Sequence, residues 1–211
     1  MYVGKRMTRE VIAAGPRDMV RDANRILQEN LIHHLPVVEG GELVGIVSDT
    51  DIQEWILREE KVEEGGMVTR RTGTVGEIMT RDVVTMNPWD TIEDALLILH
   101  KRRFGALPVV EGRKLVGIIT KSDILATFID TLHIEGIGVR IEVVMPREAD
   151  YLIRLVRELA AMKIEILSLI LSPLDGEFVA FLRLGTIDVA TVKTRLREAG
   201  FNVPELKDFL G

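Results

Sequence analysis

The sequence LPVVEGGELVGIVSDTDI at residues 35–52 returns as LPVVEGRKLVGIITKSDI at residues 107–124, a shift of 72 positions. The same shift aligns residues 7–52 with residues 79–124 without a gap, and 22 of the 46 aligned pairs are identical. Ungapped self-similarity of this kind indicates a duplicated structural unit. We therefore call residues 7–52 the first copy and residues 79–124 the second copy.

Each copy has the pattern of a β-α-β-β-α unit. Apolar residues recur at helical spacing after Pro16 and again from Ile92. Two short β-branched runs follow, and glycine-containing turns at residues 39–42 and 111–114 predict a hairpin in each copy. A second helix then begins. Because a unit of about 60 residues buries only ~60% of its unfolded surface, we expect the two copies to pack against each other.

The remaining third of the chain does not repeat this pattern. Strand-like runs at residues 139–144, 166–171, 178–184 and 201–203 alternate with helix patterns, the second of which begins at Asp188 and ends at Gly200. This order predicts a ferredoxin-like βαββαβ unit. The fold class is therefore α+β. We predict domains at residues 1–65, 75–130 and 137–211. Residues 59–73 are predicted as a helix end that runs into a linker, and a second boundary falls at residues 130–138.

The composition narrows the class of protein. A hydrophobic share of 46% beside 28% charged residues is typical of a soluble globular chain and argues against intrinsic disorder. The lack of cysteine excludes disulfides and thiolate chemistry, and a net charge of −6 disfavours nucleic acid as a partner. We find no signal-peptide pattern and no run of about 20 apolar residues. We therefore expect a cytoplasmic protein without a membrane partner.

The candidate chemistry lies where the hairpin meets the second helix of each copy. Residues 45–51 and 117–123 supply a glycine, a hydroxyl and an aspartate in the same order. Glycine lets the backbone approach a ligand, helix N–H groups attract phosphate, and a carboxylate can accept ribose hydroxyls. The same S/T-x-x-D pattern also forms a capping box that only closes the start of a helix. The residues alone leave both interpretations open.

The tandem LPVV, LVGI and S/T-x-x-D motifs resemble a pair of cystathionine-β-synthase (CBS) domains, the Bateman module, over about residues 1–130. The resemblance implies two pseudo-symmetric clefts that bind AMP, ADP, ATP or S-adenosylmethionine as a regulatory ligand, with no required cofactor. It implies aspartates on ribose, hydroxyls near phosphate, and the ring beside the backbone and the prolines. The implied nucleotide-binding residues are Ile12, His34, Pro36, Ser48, Thr50, Asp51, Val84, Ala106, Pro108, Thr120, Lys121, Ser122 and Asp123.

The two copies differ at one charged position of this motif. Asp49 of the first copy corresponds to Lys121 of the second. Since an additional carboxylate repels polyphosphate, we expect the site at residues 120–123 to be the better anion binder. His33 and His34 partly offset this difference, because the second copy has Gly105 and Ala106 there.

Other interpretations of these residues remain. Neighbouring strand residues such as His33 and His34 point to opposite faces, which disfavours a shared metal ion. The basic residues 101–103 either help to hold phosphate or form a solvated helix end. A phosphohydrolase using Asp49 and Asp51 with a divalent ion is one alternative, and a ligand-free adaptor is another. Because no catalytic constellation is visible, we expect a regulatory protein without enzymatic activity.

Residues 137–211 resemble an ACT domain, and a CBS pair followed by ACT is similar to the acetoin-utilisation CBS–ACT proteins. This resemblance implies a domain for dimerisation or for binding a second effector. The loop at residues 145–150 lacks the glycine that amino-acid-binding ACT domains usually carry, which leaves Arg147 and Asp150 as candidate contacts. Exposed sheet edges favour pairing with a second copy of the chain, so we expect a homodimer.

Overall fold

The computed structural model describes residues 1–59 and 72–205, and the chain divides into two compact units, Met1–Leu125 and Ala126–Gly211. Most of the predicted linker at residues 59–73 lies outside the described residues. None of the helices in the described ranges combines the length and the hydropathy that a membrane crossing requires.

The first unit contains the same series of elements twice. The first copy comprises α1 (Val20–Asn30), β1 (His34–Glu39), β2 (Glu42–Ser48) and α2 (Asp49–Glu59), and a 3-10 turn at Val3–Lys5 comes before it. The short helix α3 (Val75–Ile78) precedes the second copy, which comprises α4 (Ile92–Arg102), β3 (Ala106–Glu111), β4 (Lys114–Thr120) and the start of α5 (Lys121–Thr131), a helix that continues past the boundary at Leu125. The helices and hairpins predicted for each copy are present.

The two hairpins form one four-stranded sheet in the order β1-β2-β4-β3. Both are antiparallel, and both carry a bulge at the same place, between Val37 and Val38 and between Val109 and Val110. The turns contain glycines with positive φ, for example 60° at Gly40, which explains why glycine recurs there. The hairpins meet where Glu42 pairs with Lys114.

The first strand predicted for each copy is shorter than expected. It is a single parallel bridge, formed by Ala14 with Val37 and by Met86 with Val109. The Ala14 N–H donates to the Pro36 carbonyl and the Ala14 carbonyl accepts from the Val38 N–H, at 2.9 and 2.8 Å. Pro16 and its equivalent Pro88 follow two residues later. Because proline has no N–H to donate, the pairing does not extend further along the chain.

The segment that leads into each copy, together with the first two residues of that copy, packs with the other copy. We call residues 1–8 and 73–80 the leading segments. Val3 and Met7 are buried in the core of the second copy, whereas Val75 and Met79 are buried in the core of the first. Isolated β-bridges, between Thr8 and Ile118 and between Thr80 and Ile46, hold each leading segment against a strand of the other copy. The two copies are therefore interlocked, and the domain limits drawn from the sequence stay predictions.

The exchange also explains the glycine of each LVGI motif. A Cβ atom on Gly45 would collide with the Met79 side chain, and one on Gly117 would collide with Met7. We expected these glycines to let the backbone approach a ligand, and that expectation is wrong. They make room for a methionine from the leading segment that crosses over from the other copy.

The second unit contains β5 (Val139–Pro146), α6 (Ala149–Ala161), β6 (Ile166–Leu174), β7 (Glu177–Leu184) and α7 (Val189–Glu198). The strands form an antiparallel sheet in the order β5-β7-β6. The predicted strand at residues 201–203 is a single antiparallel bridge between Asn202 and Val144 of β5. Asp188 caps α7 as predicted, because its carboxylate accepts from the Thr191 N–H at 3.0 Å.

One face of this sheet is buried with the helices. Inward residues of β5 and β7 join α6 and α7 in a core of twelve buried side chains, among them Ile141, Leu155 and Leu196. The strands alternate, so the residues between these positions, such as Arg140 and Phe181, are on the opposite face and are at least partly exposed.

Candidate functional site

Two clefts lie in the first unit, and each is built from both copies. The first cleft has a volume of about 380 Å³ and lies at the start of α2. Its walls are His34, Ile46, residues 48–51, Thr80, residues 82–84, residues 103–106 and Pro108. The helix start of the first copy therefore faces side chains of the second.

In the second cleft the roles of the two copies are exchanged: the helix start comes from the second copy, and the facing wall comes from the first. Its volume is about 550 Å³, and it lies at the start of α5. Its walls are Thr8, residues 10–12, residues 31–34, Asp49, Gly105, Ile118 and residues 120–123. Nearly every wall residue has an equivalent in the first cleft at the shift of 72, such as Thr8 for Thr80 and Ile12 for Val84. The crossing of the leading segments brings residues 8–12 and 80–84 to these positions.

The aspartates of the S/T-x-x-D motifs close the helix starts and also line the clefts. Asp51 Oδ2 accepts from the Ser48 N–H at 2.8 Å and from the Ser48 hydroxyl at 2.6 Å, and the Asp51 N–H donates to Ser48 Oγ at 3.2 Å. Asp123 and Thr120 repeat this arrangement at 2.8, 2.7 and 3.2 Å. The capping interpretation is thus confirmed. It is compatible with ligand contact, because both carboxylates are only partly buried and a carboxylate accepts several hydrogen bonds.

Asp49 is held in place by two neighbours. Its Oδ2 lies 2.8 Å from His33 Nδ1, and its Oδ1 accepts from the Thr50 N–H at 2.7 Å. Burial acts to raise the pKa of Asp49, but these hydrogen bonds outweigh it, so the pKa lies below its usual value. Asp49 is therefore a carboxylate at neutral pH, and it lines both clefts.

The formal charge of the two clefts is more similar than the motifs alone indicate. Among their wall residues, each cleft has three carboxylates and one permanent cation. The first cleft has Asp49, Asp51, Asp82 and Arg103, whereas the second has Glu10, Asp49, Asp123 and Lys121. The two clefts differ in where the cation comes from. Lys121 is at the helix start itself, while Arg103 comes from the end of α4 in the other copy.

His34 lies between the clefts and lines both of them. Its ring covers Gly105, where any Cβ atom would collide with it. Burial lowers the pKa of His34 below its usual value, and His33 and Lys121 act in the same direction, whereas Asp49 and Asp51 oppose them. The glycine of the second copy therefore makes room for a histidine of the first.

The CBS domain family matches residues 3–58 and 75–130, which is more than half of the chain. The chain belongs to the CBS domain family. The two matched segments form the CBS pair, or Bateman module, whose two clefts are described above.

Three relatives show how widely this CBS pair is used. The chain is 35% identical over 128 residues to the uncharacterized protein MJ1225 of Methanocaldococcus jannaschii, covering 58% of this chain and 45% of that protein. It is 34% identical over 117 residues to inosine-5′-monophosphate dehydrogenase of Korarchaeum cryptofilum, covering 55% and 22%. It is 30% identical over 118 residues to the CBS domain-containing protein YhcV of Bacillus subtilis, covering 56% and 79%. The chain thus spans less than half the length of the first two.

Three solved structures share the fold of the CBS pair, each with a TM-score of 0.52. The CBS domain pair of MJ0100 in complex with 5′-methylthioadenosine and S-adenosyl-L-methionine is 30% identical, covering 61% of this chain and 95% of that one. CBSX2 in complex with AMP is 30% identical, covering 64% and 98%. A protein proposed to be the acetoin utilization protein AcuB of Vibrio cholerae is 29% identical, covering 64% and 95%.

Twelve of the thirteen residues proposed from the sequence line a cleft of the CBS pair. Pro36 does not line either: it is buried in β1, where its carbonyl accepts from the Ala14 N–H. Sequence reasoning assigned no role to Thr8, Glu10, Thr80 or Asp82, which line the clefts from the leading segments and the residues after them. The signal was present, because MTR at residues 7–9 and 79–81 is identical in the two copies.

The loop after β5 is the candidate effector loop of the second unit. The Arg147 guanidinium lies 5.2 Å from the centre of the Phe178 ring, and both Arg147 and Asp150 are exposed. Neither side chain is held by the core. Their role in effector binding stays a prediction.

Proposed function

We propose that this protein is a regulatory sensor that binds an adenosine-containing ligand, namely AMP, ADP, ATP or S-adenosylmethionine, in the clefts of its CBS pair. The observation that carries the proposal is the composite construction of both clefts, in which the helix start of one copy faces the backbone of the other. Solved CBS pairs of similar sequence, in complex with AMP and with S-adenosyl-L-methionine, support the ligand class.

The proposed contacts follow the chemistry of each wall. Asp51 and Asp123 accept the ribose hydroxyls, for which a carboxylate is well suited. Phosphates lie over the N–H groups at the starts of α2 and α5, where the helix dipole attracts anions. The hydroxyls of Ser48, Thr50, Thr120 and Ser122 and the Lys121 ammonium add donors there. In the first cleft the adenine ring lies between the backbone near Val84 and the wall formed by His34, Ala106 and Pro108. In the second cleft it lies between the backbone near Ile12 and His34.

Regulation follows from the contact of one ligand with both copies. A ligand that binds one relative arrangement of the copies more tightly shifts the population towards that arrangement. The size of the shift is limited by the difference in affinity between the two arrangements. The CBS pair can therefore report ligand concentration without any chemical step, which is why we propose a protein without enzymatic activity.

We further propose that the second unit is an ACT-like, ferredoxin-like domain that supports homodimerisation or binds a second effector in the cytoplasm. What supports this is the element order and the sheet order, in which Asn202 pairs beside β5 where a fourth strand of a βαββαβ fold belongs. A link to acetoin utilisation rests on the similarity to the protein proposed as AcuB.

Calorimetric titration of the full chain with AMP, ADP, ATP and S-adenosylmethionine tests the sensor proposal. Asp123→Asn should weaken binding at least tenfold, because a hydrogen bond to a charged group contributes about 1.5–3 kcal/mol. Asp94→Asn is the matched control: Asp94 and Thr91 form the same reciprocal cap at the start of α4, at 2.7 and 3.1 Å, and neither lines a cleft. Equal affinity of the two variants, or no binding of any of the four ligands, contradicts the proposal and favours the adaptor.

A further inference from the structure

A second kind of cavity lies on the open face of the sheet in the second unit, away from the loop at residues 145–150. It has a volume of about 440 Å³. Its polar walls include Arg140, Ser168, Ser172 and Arg183, and the side chains of Ile170 and Phe181 supply apolar surface. No acidic residue is found among the described residues that line it.

The strand register places the two arginines of this cavity side by side, in one row of residues that crosses the sheet. Arg140 of β5 is paired with Arg183 of β7, which is paired in turn with Ser168 of β6. Like charges directly opposite each other on antiparallel strands destabilise a sheet. Glu142 offsets part of this repulsion by pairing with Arg140, and an anion between the two guanidinium groups would relieve the rest.

The protein satisfies these two guanidinium groups only in part. Arg183 Nη2 donates to the Gly136 carbonyl at 2.7 Å, but its Nε is buried and has no hydrogen-bond partner among the described residues. Exposed Arg140 donates through Nη2 to the partly buried Glu142 carboxylate at 3.0 Å, and its guanidinium lies 5.2 Å from the centre of the Phe181 ring. An unpaired buried N–H is costly, so a donor directed at an external oxygen is the simplest explanation.

The next row of the sheet supplies the apolar part of the cavity. Phe181 is paired with Ile170 of β6, and the two side chains adjoin the arginine row. A carboxylate matches the planar fork of a guanidinium with two parallel hydrogen bonds. The walls thus offer charge at one end and apolar surface at the other.

We propose that this cavity binds a small organic carboxylate with an apolar body and without an ammonium group. Arg140 and Arg183 hold the carboxylate, the hydroxyl of Ser172 adds a polar contact, and Ile170 and Phe181 cover the apolar body. An α-amino acid is disfavoured as a ligand, because no acidic residue is among the described wall residues and the neighbouring Glu142 carboxylate is already paired with Arg140. The proposal specifies the second-effector role of the proposed function, and it does not depend on adenosine binding.

The test is a titration of the full chain with 3-phenylpropionate, followed by saturation-transfer NMR and calorimetry. We expect saturable binding of 3-phenylpropionate, and at least tenfold weaker binding of uncharged 3-phenylpropanamide and of phenylalanine. Binding of the amide or of phenylalanine with the same affinity overturns the proposal.

Variants assign the binding to this cavity. Arg140→Gln and Arg183→Gln should each weaken 3-phenylpropionate binding at least tenfold. Arg154→Gln is the matched control, because the Arg154 guanidinium lies at the same 5.2 Å from an aromatic ring, that of Tyr151, but does not line the cavity. If Arg183→Gln does not fold, Arg140→Gln decides the test. Unchanged affinity in Arg140→Gln contradicts the proposal.

A further variant separates this site from the CBS pair. Asp51→Asn combined with Asp123→Asn should lose adenosine-ligand binding and keep the affinity for 3-phenylpropionate. Loss of 3-phenylpropionate binding in this double variant contradicts the carboxylate proposal. A wild-type chain that binds 3-phenylpropionate but none of the adenosine ligands contradicts only the sensor proposal, and the reverse result contradicts only the carboxylate proposal.

Discussion

The two clefts of the CBS pair have the same frame but different chemistry. In both, an S/T-x-x-D helix start faces the other copy, and the reciprocal hydrogen bonds agree to within 0.1 Å. The side chain after the first motif residue is Asp49 in one copy and Lys121 in the other, and His34 has Ala106 as its counterpart. Duplication thus preserved the backbone and its caps, while substitutions at a few wall positions made the clefts unequal.

The largest effect should come from the methionines that cross between copies. Met7→Ala and Met79→Ala each remove a side chain that is only 8% exposed, and we expect each to lower the free energy of unfolding by about 2–4 kcal/mol. Hydrogen exchange should increase mainly in β3 and β4 for Met7→Ala, and mainly in β1 and β2 for Met79→Ala. The reverse distribution would contradict the exchange of leading segments.

Next in size is the charge difference at the helix starts. Lys121→Glu should weaken ATP binding in the second cleft about tenfold, since it replaces an attraction to phosphate by a repulsion. Asp49→Asn should strengthen ATP binding several-fold, because one carboxylate leaves both clefts. Calorimetry at low and high salt measures both changes, which should shrink at high salt. Adenosine, which has no phosphate, is the control ligand and should respond to neither substitution.

His34 should make the stability of the CBS pair depend on pH. Its pKa in the folded chain is lowered from 6.5 by burial, so the unfolded chain binds more protons as the pH falls through that value. Stability is therefore lost between about pH 7 and pH 5. The pKa of Asp49 is lowered from 3.8, so its contribution is lost only at more acidic pH.

Thermal unfolding of the wild type and of His34→Ala measures this effect. The variant, which carries the alanine found at the equivalent position of the second copy, should show a smaller decrease in Tm from about pH 7 to about pH 5. An equal decrease in both proteins would show that His34 does not contribute.

The smallest effect belongs to the contact between the hairpins. The Arg113 and Glu42 side chains form an ion pair at 2.9 Å and are 72% and 50% exposed. Exposed pairs contribute about 0–1 kcal/mol, so Arg113→Ala should lower the free energy of unfolding by less than about 1 kcal/mol. Chemical denaturation checks this, and a loss as large as that of Met7→Ala would mean that the pair, rather than the crossed segments, joins the copies.

Much of the candidate site follows from the sequence because its signals are local. The periodicity of α1 and α4, the glycine turns and the S/T-x-x-D caps each involve residues within a few positions of one another. A local pattern also misled in one case, because Gly45 and Gly117 accommodate Met79 and Met7 rather than the approach of a ligand. The expectation that the second cleft is the better anion binder stays a prediction, and the structure adds that Arg103 gives the first cleft a permanent cation as well.

The sequence by itself determined that one unit occurs twice, that each copy has two helices and a hairpin, and that each carries a capped helix start. These follow from repetition, periodicity and short-range hydrogen bonding, which a chain encodes locally. Only the tertiary structure decided that the leading segments cross, that each cleft combines both copies, and that His34 lies between them. Those contacts join residues far apart in the sequence, 34 positions for Ile46 with Thr80 and 110 for Thr8 with Ile118, and packing space, rather than local preference, selects them.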